Sequence, residues 1–300
     1  MVPRCAAAAG WRRVLRRGGR QFATAVPELH AEQLTADEFG QHFLVPSLPV
    51  LIRGVASGRP AVQLWAKPAY LEAVCGADRP VICERNARGR VFSYGSADAS
   101  VTLPLSEVLT TYGAGGAEAE RMYVAQTPID DLQPDGRLRE DIDVPAYCDV
   151  AAPIDWAKPA TLLAAMLPVR PPPDVHMWLG HTTSVSPLHF DAKHNLLTQC
   201  VGHKRVSLFA PECSNALYAE GSSNQSQLGT VVDLREVCPV MYPRFAAEAE
   251  PQMQVCTIGP GDALYIPGGW WHHVAACEGE GDLDRESPQK CVISVNFWWV

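Results

Sequence analysis

The sequence predicts a mainly β protein, an all-β barrel or jelly roll preceded by a mixed α+β portion, and three observations predict it. After the prolines at 171–173 the chain becomes a succession of short apolar, β-prone runs. The turns between those runs carry glycine, and no internal repeat or low-complexity tract follows the N-terminus.

In order, the runs are 175–180, 188–191, 196–201, 204–209, 254–258, 263–266, 272–276 and 292–299. The intervening turns GHK, GPGD and IPGG place glycine where a sharp reversal needs positive φ or a close backbone approach. Two excursions interrupt the series, 213–251 and 278–290, and the second is polar enough to read as an exposed loop. Ahead of the barrel, residues 26–173 alternate element types. Helical patterns fall at 35–43, 68–75 and 105–112, and strand patterns at 49–54, 80–85 and 121–126. The division expected is a basic segment over 1–25 and a single domain over 26–300, its barrel running from 174 to 300.

Composition sets the limits. A chain of 300 residues with 47% hydrophobic and 19% charged content can bury a large core. Its ten cysteines are scattered without zinc-finger spacing, as buried free thiols of a reducing compartment would be. The longest apolar run, 160–169, falls well short of the roughly 18 residues a membrane span needs, so no membrane partner is expected. Arg4, Arg12, Arg13, Arg16, Arg17 and Arg20 precede any acid, which suits either a mitochondrial transit peptide or a basic tail on a nuclear or cytoplasmic protein. Without those six arginines the net charge moves from −8 to −14. Such an acidic domain argues against nucleic acid and for a basic polypeptide partner bearing arginine or lysine.

The chemistry gathers in Pro187-Leu188-His189-Phe190-Asp191. In a strand, residues two apart share a face, so His189 and Asp191 can chelate one ion, and His272 on a late strand would complete two imidazoles and a carboxylate. That donor set leaves open positions suited to Fe(II), a bidentate co-substrate and O2. The local motif alone is weak, because nine histidines and 33 acids give about one such pair by chance, and a second stands at His30 and Glu32. Context separates them, since His189 lies in the β-rich half. Lys204 heads a run in which alternation groups it with Val206 and Leu208 on an apolar face. An inward lysine needs a carboxylate, which a bound dicarboxylate would supply; otherwise it snorkels at a strand end.

The segments WLGHTTSVSPLHFD, NLLTQCVGHKRVSLFAP, GPGDALYIPGGWWHHV and SVNFWW resemble the JmjC-domain oxygenases, and YVAQ with LREDIDVPAYC is similar to their arginyl-hydroxylase branch. The resemblance covers almost all of 178–300. It implies a double-stranded β-helix of the cupin, JmjC type, with iron on His189, Asp191 and His272, the histidine directly after the tryptophan pair; alternation turns His273 to the other face. It further implies 2-oxoglutarate at Lys204, Ser186, Tyr123, Gln126, Asn195 and Asn296, with Trp178 in the pocket wall. For Tyr123, Asn195 and Asn296, a satisfied polar group near a strand end is the alternative. Core filling is the default for the remaining barrel tryptophans.

The reaction implied is hydroxylation of a protein side chain, arginine first, with release of succinate and carbon dioxide. N-methyl-lysine demethylation on the same fold and a non-catalytic cupin binding module are the alternatives. One departure bears on the substrate: the position matching the family's acidic arginine contact is Ile82, with Glu84 two residues on.

Overall fold

Alternating apolar positions pair the strands into two sheets, and the ladder register decides which side chains meet between them. The computed structural model describes residues 24–86, 91–92, 100–150, 172–221, 223–229, 231–278 and 291–300. The basic N-terminal segment, the apolar run at 160–169 and nearly all of the 278–290 excursion lie outside the described residues.

The N-terminal portion runs β1 (Thr24–Ala25), β2 (Glu28–His30), α1 (Ala36–Phe39), β3 (Val50–Arg53), α2 (Pro60–Leu64), α3 (Pro68–Cys75), β4 (Pro80–Arg85), β5 (Ser100–Pro104), α4 (Leu105–Ala114), α5 (Gly116–Glu120), β6 (Met122–Pro128), α6 (Ile129–Leu132) and α7 (Arg137–Ile142). The barrel strands are β7 (Asp174–His181), β8 (Val185–Phe190), β9 (His194–Val201), β10 (His203–Phe209), β11 (Gln254–Ile258), β12 (Ala263–Ile266), β13 (Trp271–Cys277) and β14 (Cys291–Trp299). Local chemistry explains the starts. Thr35 and Glu38 form a reciprocal capping box at α1, and α2 and α3 open on proline, whose missing N–H costs nothing there. The helical pattern expected over 35–43 is α1 continued by a π-helical turn, Gly40–Leu44.

The fold is the mainly β jelly roll that the sequence predicts. One sheet has five strands in the order β1-β11-β10-β13-β8, the other nine in the order β2-β3-β12-β9-β14-β7-β6-β4-β5. Because β6 pairs antiparallel with β7, the nine-stranded sheet runs through the α+β portion and the barrel without a break. Gly202 turns β9 into β10 at φ 71°, and Gly269 leads into β13 at φ 87°, conformations that exclude a β-carbon at little cost only for glycine.

Each face of the large sheet has its own role. One face sends Val81, Cys83, Met122, Val124, Ile293, Val295 and Phe297 against Leu71, Val108, Leu109 and Tyr112 of the helices, forming the main core. The opposite face looks toward the small sheet, and Lys204 crosses the gap to donate to Ser294. At one end of that gap Leu51, Leu197, Val206, Leu208, Ile258 and Leu264 close the barrel with apolar contacts. Burial of this kind contributes about 1.5–3 kcal/mol per large side chain. All cysteines among the described residues are free thiols, most of them buried. Among the described residues no helix is long and apolar enough to cross a membrane.

Candidate metal and co-substrate site

His189 and His272 face each other across the β8–β13 ladder, where they are direct partners, and their ring centroids are 4.2 Å apart. Asp191 joins them: one ligand atom from each of the three residues lies within 4.8 Å of the others, and His272 Nε2 is 3.7 Å from Asp191 Oδ2. Each imidazole is oriented through its other nitrogen. His189 Nδ1 is 2.6 Å from the Pro187 carbonyl and His272 Nδ1 is 3.0 Å from the Trp270 carbonyl. A carbonyl can only accept, so both rings donate from Nδ1 and turn Nε2 toward the site. Burial, and then the second imidazole, lowers the His189 pKa below the ordinary histidine range, which keeps its Nε2 lone pair free at neutral pH.

Strand alternation is not what holds Asp191. The ladder ends at the Phe190–Trp271 pair, and Asp191 is one residue beyond β8, its carbonyl accepting from Gly269 N–H at 2.7 Å. His273 turns away, its Nε2 3.2 Å from the Val231 carbonyl, with a ladder irregularity between His272 and Val274. His30 and Glu32 are exposed, on β2 and the turn after it.

Beside the three residues a cavity of about 260 Å³ opens between the sheets, and Tyr123, Gln126, Trp178, Ser186, Asn195, Lys204 and Asn296 line it with them. Lys204 is 5% exposed; its ammonium bonds Ser294 Oγ at 2.5 Å and lies 6.0 Å from the Trp178 ring. Burial pushes its pKa down to about 7, and among the described residues no carboxylate pairs with it. Tyr123 is buried and interacts with Ser186, while its ring packs between Phe92 and Trp178. The side-chain oxygens of Asn195 and Asn296 are buried without a hydrogen-bond partner among the described residues. Gln126 lies in a bulge of β6 at φ 46°, a strained conformation for a non-glycine residue.

The sequence reading missed part of the lining. Asn224 and Gln225 come from the excursion between β10 and β11, and no periodicity in that polar stretch marks them. Trp298, taken as core filling, borders the cavity with its indole N–H unpartnered among the described residues, whereas Trp270 and Trp271 are structural, bonded to Ser47 and Ser214. Ladder pairing puts Glu84 opposite Tyr123 on the cavity side of the sheet, and Ile82, on the same side, is 62% exposed.

Two imidazoles and a carboxylate form a borderline-hard facial donor set that fits Fe(II). A buried ammonium lacking a counter-ion fits one end of a dicarboxylate.

Residues 35–300 match the family described as Cupin-like domain. The chain is 31% identical over 286 residues to Lysine-specific demethylase 8 of Xenopus tropicalis, covering 92% of this chain and 53% of that protein. It is 30% identical over 278 residues to Jumonji C domain-containing protein 5 of Drosophila melanogaster, covering 91% and 59%. It is 27% identical over 298 residues to the human bifunctional peptidase and (3S)-lysyl hydroxylase JMJD7, covering 92% and 84%. The chain thus spans little more than half the length of the first two relatives.

Proposed function

The chain belongs to the cupin-like family, on its JmjC oxygenase side, and from that premise we propose that it is an Fe(II)- and 2-oxoglutarate-dependent hydroxylase of a basic side chain in a polypeptide, arginine first. One observation carries this reading: two imidazoles and a carboxylate converge at one side of a cavity that also holds a buried, uncompensated ammonium. His189, Asp191 and His272 would hold the iron, and Lys204 the distal carboxylate of 2-oxoglutarate, helped by Ser186, Tyr123 and Asn195. Gln126 and Asn296 supply further polar contacts, and Trp178 shields the ammonium from water. When bound, iron and 2-oxoglutarate supply the oxidative decarboxylation with O2 that gives succinate and carbon dioxide and hydroxylates a C–H bond. The protein's own part is orientation and exclusion of water.

Glu84 supports a basic substrate. It has no cationic partner among the described residues, and burial raises its pKa to about 7, so a bound guanidinium or ammonium would restore its ionised form. Displacement of the acid from position 82 to 84 keeps it on the cavity side, because strand side chains repeat every second residue.

A second reading, N-methyl-lysine demethylation, is favoured by the name of the Xenopus relative. The two separate in one experiment, in which the protein with Fe(II), ascorbate and 2-oxoglutarate is incubated with arginine- and lysine-bearing peptides and the products are weighed. Gain of one oxygen atom identifies the hydroxylase, and loss of a methylene with formaldehyde identifies the demethylase. If iron-dependent succinate never forms and the Asp191→Ala variant behaves as the wild type, the chain is a binding module.

A further inference from the structure

β8 is the last strand of the five-stranded sheet, and among the described residues its outer edge is met only by single bridges, from Val91 and Gln225, and by no named strand. Its other edge stops pairing at Phe190, and Asp191 therefore sits where neither edge gives ladder restraint. A ligand at such a position needs its backbone held by other means if its carboxylate is to keep one direction.

Gly269 holds the Asp191 carbonyl, and the excursion between β10 and β11 holds the peptide unit before it. The Phe190 N–H donates to the Asn224 carbonyl at 3.1 Å, and the Asn224 side-chain Nδ2 donates back to the Phe190 carbonyl at 2.9 Å. That carbonyl belongs to the planar peptide unit whose nitrogen is Asp191 N, so the side chain of Asn224 grips the plane from which Asp191 departs. A carboxamide has the shape and polarity of a peptide group, and here it takes the place of the missing neighbour strand. Its oxygen accepts from Gln225 Nε2 at 3.3 Å, which accords with the NH2 end facing Phe190. Around it the loop is joined to β8 by backbone, through the His189–Gln225 bridge and the Ser226 N–H to Leu188 carbonyl bond of 3.3 Å, and is seated on the core by the buried Ser226 and Leu228. Asn224 itself is exposed and contributes nothing to a core cluster. Its removal therefore takes away the bond to Phe190 and the longer one from Gln225, with little packing.

We propose that Asn224 is a positioning residue for the metal, setting the direction of the Asp191 carboxylate through the peptide unit of Phe190. The inference rests on the reading of His189, Asp191 and His272 as metal ligands. Outer partners of metal ligands typically change affinity by 10–100-fold when removed, and a partner acting through backbone belongs at the lower end, about tenfold.

The test uses the full chain, freed of metal by a chelator and titrated with Mn(II), the free ion being counted by its paramagnetic resonance. Asn224→Ala and Asn224→Ser, whose hydroxyl is too short to reach Phe190, should each bind Mn(II) about tenfold more weakly, with metal-free unfolding midpoints unchanged. Gln227→Ala, at an exposed position in the same loop, should bind as the wild type does. Wild-type affinity in both Asn224 variants overturns the proposal, as does a loss of affinity that follows a matching fall in metal-free stability. Should the wild type itself take up no Mn(II), the metal reading fails first and the proposal falls with it.

Discussion

A buried ammonium without a counter-charge makes the metal- and ligand-free protein less stable than its packing allows, and Lys204 is in that position. Its folded pKa is depressed to about 7, while an unfolded lysine titrates near ~10.4. Between those values the unfolded chain binds the extra proton, so stability rises with pH through that window and the penalty is full below it. Lys204→Met should therefore stabilise the ligand-free protein by about 1–4 kcal/mol at pH 6, lose the rise toward pH 10 in denaturant titrations, and no longer be stabilised by added 2-oxoglutarate. Glu84 predicts a pH dependence in binding. Its carboxyl, raised to about 7, ionises as pH passes that value, so the KM for an arginine peptide should fall from pH 6 to pH 8 and Glu84→Gln should flatten the curve. A flat wild-type profile would mean that the substrate's charge is read elsewhere. These residues differ in how visible they are in sequence. Lys204 announces itself because alternation with Val206 and Leu208 can be read from spacing alone. The left-handed backbone of Gln126 has no such signature, since glycine or asparagine would be the ordinary signal for φ of 46°.

The turn between β12 and β13 presses its backbone directly on the metal side. A β-carbon on Gly268 would sit 2.7 Å from the Ala192 carbonyl oxygen, a backbone atom adjoining Asp191 that no side-chain rotation can move aside. Gly268→Ala should thus cost about 1–3 kcal/mol and also weaken Mn(II) binding. Gly58→Ala, where nothing lies within 4 Å, should leave Mn(II) binding unaltered. A Gly268→Ala protein that keeps full Mn(II) affinity would show that Asp191 is placed independently of this turn. At this scale the sequence is informative wherever a strand is buried on one or both faces. The expected runs at Gln254–Ile258 and Ala263–Ile266 coincide with β11 and β12 to the residue. It is silent where an element exists only through its neighbours. β1 and β2 are two- and three-residue strands created by parallel pairing with β11 and β3, and β5 is an edge strand without a fully buried residue. The same limit explains Asp191: alternation puts it beside His189, whereas the structure ends the strand first and hands the task to Gly269 and Asn224.

The site spans the whole molecule, because the two sheets contribute different parts of it. His189, His272 and Lys204 stand on β8, β13 and β10 of the small sheet, whereas Tyr123, Trp178, Asn195, Asn296 and Trp298 stand on strands of the large one. A metal alone would join groups of one sheet and the residue just beyond it. A dicarboxylate reaching from the metal to Lys204 would lie against the side chains of both, so it should join the sheets and add to the stability that the metal gives. Ligands binding only the folded state at about 100 times their dissociation constants contribute roughly 2.7 kcal/mol each. For a domain of this size that corresponds to a rise in unfolding midpoint of about 4–5 °C per ligand. Mn(II) alone should give the first increment in a thermal scan. 2-Oxoglutarate should add its own only when Mn(II) is present, because the 2-oxo acid end then has a metal to chelate. Asp191→Ala should abolish both increments, and Lys204→Met the second alone. A 2-oxoglutarate increment that survives in Asp191→Ala would place the dicarboxylate on Lys204 without the metal and separate the two halves of the site.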